Sequence, residues 1–324
     1  MSSAIFRLVR CKKSNTRYVL EIMRHLTTFK LIDTVARSRS IRQAAEEVSI
    51  TPSALHRRIQ AFEEEIGEVI FERLPSGVRL NAAGELVIHH IRQQLAETDR
   101  LKSRLGDLSG VRRGHISIAC SQALTHYFLP DEIAKYRKSF PMVTFEVVVL
   151  DHVAAENALV DYQVDLALVF DSHQRPEFEV TLVVQQDLRA VMSANHPLTK
   201  LDTVRLQDCL QYPLVLPTKF FGGRLLLEEA LARTSLTLEP TIESNSFDFL
   251  KKYILNEQAI TFQIPIGLPR NGLEDNLVNR PIRSSDINDG FLYLGQRRGR
   301  TLPVASARFA DQITQTLAKN FSAV

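Results

Sequence analysis

Long apolar runs are missing from this 324-residue chain: no stretch approaches the roughly 18 residues that a membrane-spanning helix requires. Cysteine is nearly as scarce. Cys11, Cys120 and Cys209 show no CxxC spacing and have no adjacent histidine, which argues against a disulfide framework and against a zinc site. The short signatures of common enzyme chemistry are absent too. No GxSxG elbow, HExxH helix, P-loop or GxGxxG turn occurs, so the sequence is read as neither an enzyme nor a cofactor carrier. Residues 1–22 contain Arg7, Arg10, Lys12, Lys13 and Arg17 but lack the continuous apolar segment of an export signal. The expected compartment is therefore the cytoplasm.

What is present is an ordinary globular composition, 44% hydrophobic and 24% charged, in a chain long enough for two or three domains. The charge is unevenly placed. Residues 1–113 hold 20 Lys/Arg against 13 Asp/Glu, a net of +7, whereas the remaining 211 hold 20 against 24, a net of −4. A basic first third joined to an acidic remainder fits a nucleic-acid-binding module attached to a part that never touches the polyanion.

The most informative stretch is Ser40–Leu80. Ser40 with Gln43 fits a capping box, so a helix should begin at Ile41 with Ala44, Ala45 and Val48 inward. Ser49 and Ile50 form a turn. Thr51 then caps a second helix that carries Pro52 at its first position. Leu55, Ile59, Phe62 and Ile66 give this helix one buried stripe. Ser53, Arg57 and Gln60 fall on the opposite face, with His56 flanking them. Val69–Phe71 and Val78–Leu80 read as two strands around a turn at Arg73–Gly77. Together these elements describe a helix-turn-helix with a wing, whose polar, basic face suits a DNA groove. Glu63–Glu65 lie at the far end of the second helix, away from phosphates. The alternative is a surface helix with ordinary solvated arginines.

Ala44-Ala45, Thr51-Pro52-Ser53-Ala54-Leu55-His56-Arg57, Phe71-Glu72-Arg73 and Leu80-Asn81-Ala82-Ala83-Gly84 make residues 24 to about 108 resemble the N-terminal part of LysR-type transcriptional regulators. His56 stands where the family pattern has a small Ser, and Asn81 where it has Thr. The resemblance implies a winged helix-turn-helix over 23–81 and a linker helix over 82–109 that pairs two subunits. It implies an α/β effector domain over 110–324 with two lobes resembling a periplasmic binding protein. Lobe I would span about 114–181 and 287–324, lobe II about 182–286. Residues 1–22 match nothing in the pattern and are read as a basic arm or as the product of an early start, since Met23 sits where the family begins. Arg42, Thr51, Pro52, Ser53, His56, Arg57, Arg58, Arg73, Ser76 and Arg79 become the candidate DNA contacts. Thr51, Ser53 and His56 would read bases and the arginines hold phosphates.

Leu26, Phe29, Ile32, Val35 and Ala36 mark a first helix packed behind the motif. Beyond it, Ile88, Ile91, Leu95, Leu101 and Leu105 form the stripe expected to pair linker helices; His89 and His90 on it are read as solvated or interfacial rather than as metal ligands. Ser109–Gly114 reads as a hinge. From His115 the pattern alternates strand and helix, with a helix from Leu124 to Phe140 and a βαβαβ order typical of a doubly wound sheet. Ligands of such sheets sit beyond the carboxyl ends of strands, against helix starts. Cys120, Ser121, Gln122, Thr218, Lys219, Phe220, Ser244, Ser246 and Gln263 are therefore the candidate effector contacts, with Lys219 favouring a carboxylate or amino acid. The competing view is that these are ordinary caps and loop polars.

The expected protein is a DNA-binding regulator answering to a small, anionic molecule. Its operator would be an interrupted palindrome, and its assembly a homodimer growing to a tetramer, with RNA polymerase as a possible contact. Two alternatives are a thiol sensor using Cys120 with Cys209, and a solute-binding α/β protein with an incidental helix-turn-helix.

Overall fold

The computed structural model describes residues 25–108, 113–170, 175–219, 221–234, 236–269 and 276–322, without the side chains of 105–108. The expectations for residues 1–22, for the hinge at 109–112 and for Phe220 lie outside the described residues, as does the side chain of Leu105. Two compact units meet in sequence between Leu101 and Lys102.

The first unit contains helix α1 over residues 25–38, α2 (Ile41–Glu47), α3 (Pro52–Ile66), the hairpin β1 (Phe71–Leu74) and β2 (Gly77–Leu80), and the start of α4 (Ala82–Leu108). The starts of α2, α3 and α4 are capped. Ser40 accepts the Gln43 N–H and Thr51 the Ala54 N–H, both at 3.3 Å, and Asn81 Oδ1 accepts the Gly84 N–H at 2.7 Å. Each bond satisfies one of the orphan donors of a first helical turn. Ser49, at φ 55°, makes the left-handed turn between α2 and α3.

The core joins Ile32 and Val35 of α1, Ala44 and Ala45 of α2, Leu55, Ile59 and Phe62 of α3, Ile70 and Val78 beside and within the hairpin, and Ile88 and Ile91 of α4. Three expectations change here. Ile66 is 38% exposed, because the stripe on α3 ends with Phe62 in the core, one turn before Gly67 closes the helix. The hairpin turn contracts to Pro75–Ser76: Glu63 accepts the N–H groups of Ile70 and Phe71 at 2.8 and 3.3 Å, so pairing begins only at Phe71. Finally, Ile88 and Ile91 are 2% and 0% exposed within their own subunit's core, so neither is free to meet a second subunit; Leu95 packs against the same core.

The second unit begins with β3 (Gly114–Cys120), followed by a 3-10 turn at Gln122–Leu124, α5 (Phe128–Ser139), β4 (Val143–Val149), α6 (His152–Val160), β5 (Leu166–Phe170) and β6 (Phe178–Gln185). The expected helix from Leu124 to Phe140 thus starts four residues later. Next come β7 (Arg189–Ser193), α7 (Leu206–Cys209), β8 (Leu214–Pro217), α8 (Gly222–Ala232), β9 (Pro240–Ser244), α9 (Phe247–Tyr253), β10 (Thr261–Gln263) and β11 (Leu277–Pro281). β12 (Phe291–Arg297) and α10 (Val304–Asn320) complete the chain's return.

One lobe has strand order β4-β3-β5-β12-β6, parallel around β3 and antiparallel at β12. The other holds β10-β7-β11 and β8-β9, joined by a bridge between Leu214 and Ile260. Leu182 pairs with Leu294 inside the first sheet, so the chain leaves that lobe only after Gln185, not at Leu182. The two crossings are stitched together: the Gln186 N–H donates to the Gly290 carbonyl at 2.7 Å. A side chain at Gly290 would lie 2.5 Å from the Phe170 ring, which the crossing cannot accommodate.

In the hairpin, the Val78 N–H donates to the Arg39 carbonyl at 2.9 Å. Gly77 has φ 142°, and a Cβ there would stand 2.3 Å from the same oxygen. Gly77→Ala is expected to destabilise the first unit by about 1–3 kcal/mol through backbone strain. Urea unfolding followed by circular dichroism checks this, and an unchanged midpoint would mean the hairpin is not docked on Arg39.

Candidate functional site

The outer face of α3 is exposed. Thr51, Pro52, Ser53, Arg57, Arg58 and Gln60 are all exposed, because the Leu55–Ile59–Phe62 stripe turns them outward. Arg57 and Arg58 make no ion pair among the described residues. The other arginines are engaged. Arg42 sits 3.3 Å from Glu46 along α2, and Arg79 2.8 Å from Glu72 across the hairpin, while Ser76 is exposed at the hairpin tip.

His56 and Arg73 form the joint between helix and wing. Arg73 Nη2 donates to His56 Nε2 at 2.6 Å. Arginine has no acceptor, so this bond requires a neutral imidazole with its proton on Nδ1. Nδ1 is buried and makes no hydrogen bond among the described residues. His56 therefore faces the wing with one nitrogen and the protein interior with the other, and holds an exposed guanidinium beside α3. Its position on the flank of the face agrees with the helical spacing. The bond to Arg73, 17 residues away, carries no signal in that spacing.

Between the two lobes of the second unit, a narrow cleft is lined by Ser121, Ala123 and Phe170 on one side. Leu188, Pro217, Phe221, Gly222, Gly223, Phe247, Phe262 and Gln263 line the other side and the crossing. Its free volume is only about 20 Å³. Phe221 and Phe247 meet edge to face at 5.5 Å. Gln122 spans the lobes, its Oε1 accepting the Phe247 N–H at the start of α9 at 3.1 Å. Of the expected contacts, the cleft brings together Ser121 and Gln263. Ser244 accepts the Ser246 N–H at 3.1 Å and Ser246 the Phe249 N–H at 3.3 Å, so both hydroxyls serve local turns and caps. The Thr218 N–H donates to the Ser244 carbonyl, and Lys219 points to solvent as an exposed residue.

Comparison with known proteins gives this arrangement a lineage. A model described as the LysR substrate binding domain matches residues 109–318, and one for the bacterial regulatory helix-turn-helix protein, lysR family, matches residues 26–85. The chain belongs to the LysR family. It is thus a DNA-binding transcriptional regulator with an effector-binding domain. The HTH-type transcriptional regulator CysB of Burkholderia cenocepacia is 27% identical over 233 residues, 71% of this chain and 74% of that protein. Full-length CbnR complexed with its target DNA has a TM-score of 0.61 at 16% identity, covering 90% of this chain and 99% of that one. The effector binding domain of QuiR in complex with shikimate has a TM-score of 0.55 at 20% identity, covering 64% and 99%.

The LysR cleft of this chain departs from the sequence reading at Cys120. Alternation along β3 sends Ile116, Ile118 and Cys120 to the same face, and all three are fully buried. Cys120 therefore lies in the core below the cleft, and Cys209 is equally enclosed. Burial pushes both thiols up to about 12. Thiolate is the reactive form, so neither is suited to sensing an oxidant. Phe170, Phe247 and Phe262 carry no polar signature in the sequence, so the aromatic lining of the cleft is not legible there. The Phe221-Gly222-Gly223 start of α8, just past a strand's carboxyl end, was the signal that could have found it.

Raised thiol values have a measurable consequence. In native protein at pH 8, Cys120 and Cys209 peptides should take up iodoacetamide at least about 100-fold more slowly than in urea. Mass spectrometry of both peptides reads this, and equal rates would place a thiol at the surface.

Proposed function

We propose that this regulator reads an operator with the face Thr51–Ser53–Arg57 of α3 in the major groove, while Arg73 and Arg58 grip phosphates at its edge. The observation that supports this reading best is the His56–Arg73 bond, which fixes an exposed guanidinium at the side of an exposed polar helix. Arg42, Pro52, Ser76 and Arg79 complete the contacting surface, the last only after releasing Glu72. His56 acts through Arg73 rather than as a base reader. The protein works where its DNA is, in the cytoplasm, and catalyses no reaction.

Two copies would pair through the outer part of α4, from Leu95 through Leu101 to Leu105; Leu101 is 57% exposed. Such a dimer presents two recognition helices to an interrupted palindrome, and a pair of dimers would engage two such sites, within reach of RNA polymerase. The effector occupies the cleft of the opened lobes, with Ser121 and Gln263 as its polar partners and the phenylalanines around its apolar part. QuiR's shikimate, a small carboxylate, supports that class, although the cleft lining here is richer in aromatic carbon than in cations. Closure of the lobes on the ligand biases the winged domains only so far as the ligand prefers the closed form.

Fluorescence anisotropy on an operator duplex tests the interface. Arg73→Ala should weaken binding to every sequence and flatten the salt slope by about one unit. His56→Ala should weaken it as well, and the double variant should cost less than the two single losses combined, since the pair acts as a unit. Strict additivity, or a loss confined to one operator, contradicts this role.

A further inference from the structure

A second cavity lies outside the cleft and is far roomier, about 300 Å³ against about 20 Å³. Both lobes contribute to it. His126 and Tyr127 come from the turn before α5, whereas Lys251 comes from α9 and the floor is Val191, Leu268 and Leu277. The floor is apolar, and the rim is charged. Lys251 lies 3.2 Å from Asp248 and 5.6 Å from the Tyr127 ring centre, and His126 Nδ1 is 3.5 Å from the same Asp248 carboxylate. Lys252 adds another ammonium to the lining. Lys251 and Lys252 against Asp248 give the lining a formal charge of +1.

A volume of this order meets the lower range of small-molecule sites, which begins at about 300 Å³. Apolar carbon below and ammonium groups above define an amphipathic anion. A carboxylate at the rim would bond Lys251 and compete with Asp248, and its hydrocarbon would cover Val191 and Leu277. A group held in this position touches Tyr127 of one lobe and α9 of the other. Its free energy of binding is therefore linked to the spacing of the lobes. We propose that this pocket is a second ligand site, separate from the cleft, that binds a medium-chain or aryl monocarboxylate and braces the closed pair of lobes.

Isothermal titration calorimetry on the full-length protein tests it, with octanoate as the probe, methyl octanoate as the uncharged arm and acetate as the arm without an apolar body. Octanoate should bind about tenfold more tightly than either control, as a charged hydrogen bond and a buried chain each require. Lys251→Met should weaken octanoate about tenfold and leave methyl octanoate unaffected. Val278→Phe, which fills the pocket from β11, should abolish octanoate binding. Ser121→Trp, which fills the cleft instead, should retain it. Unaltered melting of each unliganded variant shows that the fold is kept. Equal affinities for the three probes overturn the proposal. So does octanoate binding lost in Ser121→Trp, whether or not Val278→Phe retains it; retention there would assign the anion to the cleft and leave the regulatory reading intact.

Discussion

Backbone donors at the start of an element must find an acceptor, and in this chain the acceptors are side chains that reach across element boundaries. Glu63, on the recognition helix, takes the two N–H groups that open the wing. Gln122, in one lobe, takes the first N–H of a helix in the other. Gln186, at the crossing between lobes, accepts the Ile266 N–H at 2.9 Å. Bonds to a charged acceptor are worth about 1.5–3 kcal/mol, so the Glu63 contact alone can decide whether helix and wing move as one piece. The same device ties the lobes together: separating them would strand the Phe247 donor, which water must then satisfy.

How legible was this in the sequence? The helix-turn-helix was, because it is built from local rules: Ser40, Thr51 and Pro52 occupy positions that only a helix start rewards, and the Leu55–Ile59–Phe62 spacing fixes the inward face. Asn81 departs from the family pattern, and it caps α4 by accepting the Gly84 N–H. The alternation of strands and helices and the two-lobed plan followed from local pattern and from family resemblance, whereas the insertion of β12 between β5 and β6 did not. Illegible were contacts between residues far apart in sequence. Glu63 read as a charge keeping clear of phosphates, yet it holds the wing. β11 is a short strand whose partner β7 lies far off along the chain, and the lobe boundary expected at 182 falls inside β6, because nothing local says which sheet edge that segment joins.

The candidate sites divide in the same way. On the DNA side, residues singled out from helical geometry lie on the exposed face of α3, and what is new is the pairing of His56 with Arg73, of Arg42 with Glu46 and of Arg79 with Glu72. On the effector side, polar residues drew attention because polar chemistry is easy to read. Ser244, Ser246 and Gln122 instead satisfy backbone donors, whereas the surface around the cleft is aromatic. Polarity near a strand end marks a cap at least as often as a ligand, and only coordinates distinguish them. Cys120 shows the converse: a reactive residue type made inert because its strand is buried on both faces.

Hydroxyl-radical footprinting of the full-length protein, on genomic fragments recovered by its own affinity selection, tests the central claim most directly. The account predicts two protected patches on one face of the duplex, about 10 base pairs apart, fading together as salt is raised and not removed by an unrelated competitor duplex. Continuous protection that any duplex removes equally well would contradict it, leaving α3 as a basic surface without a reading function.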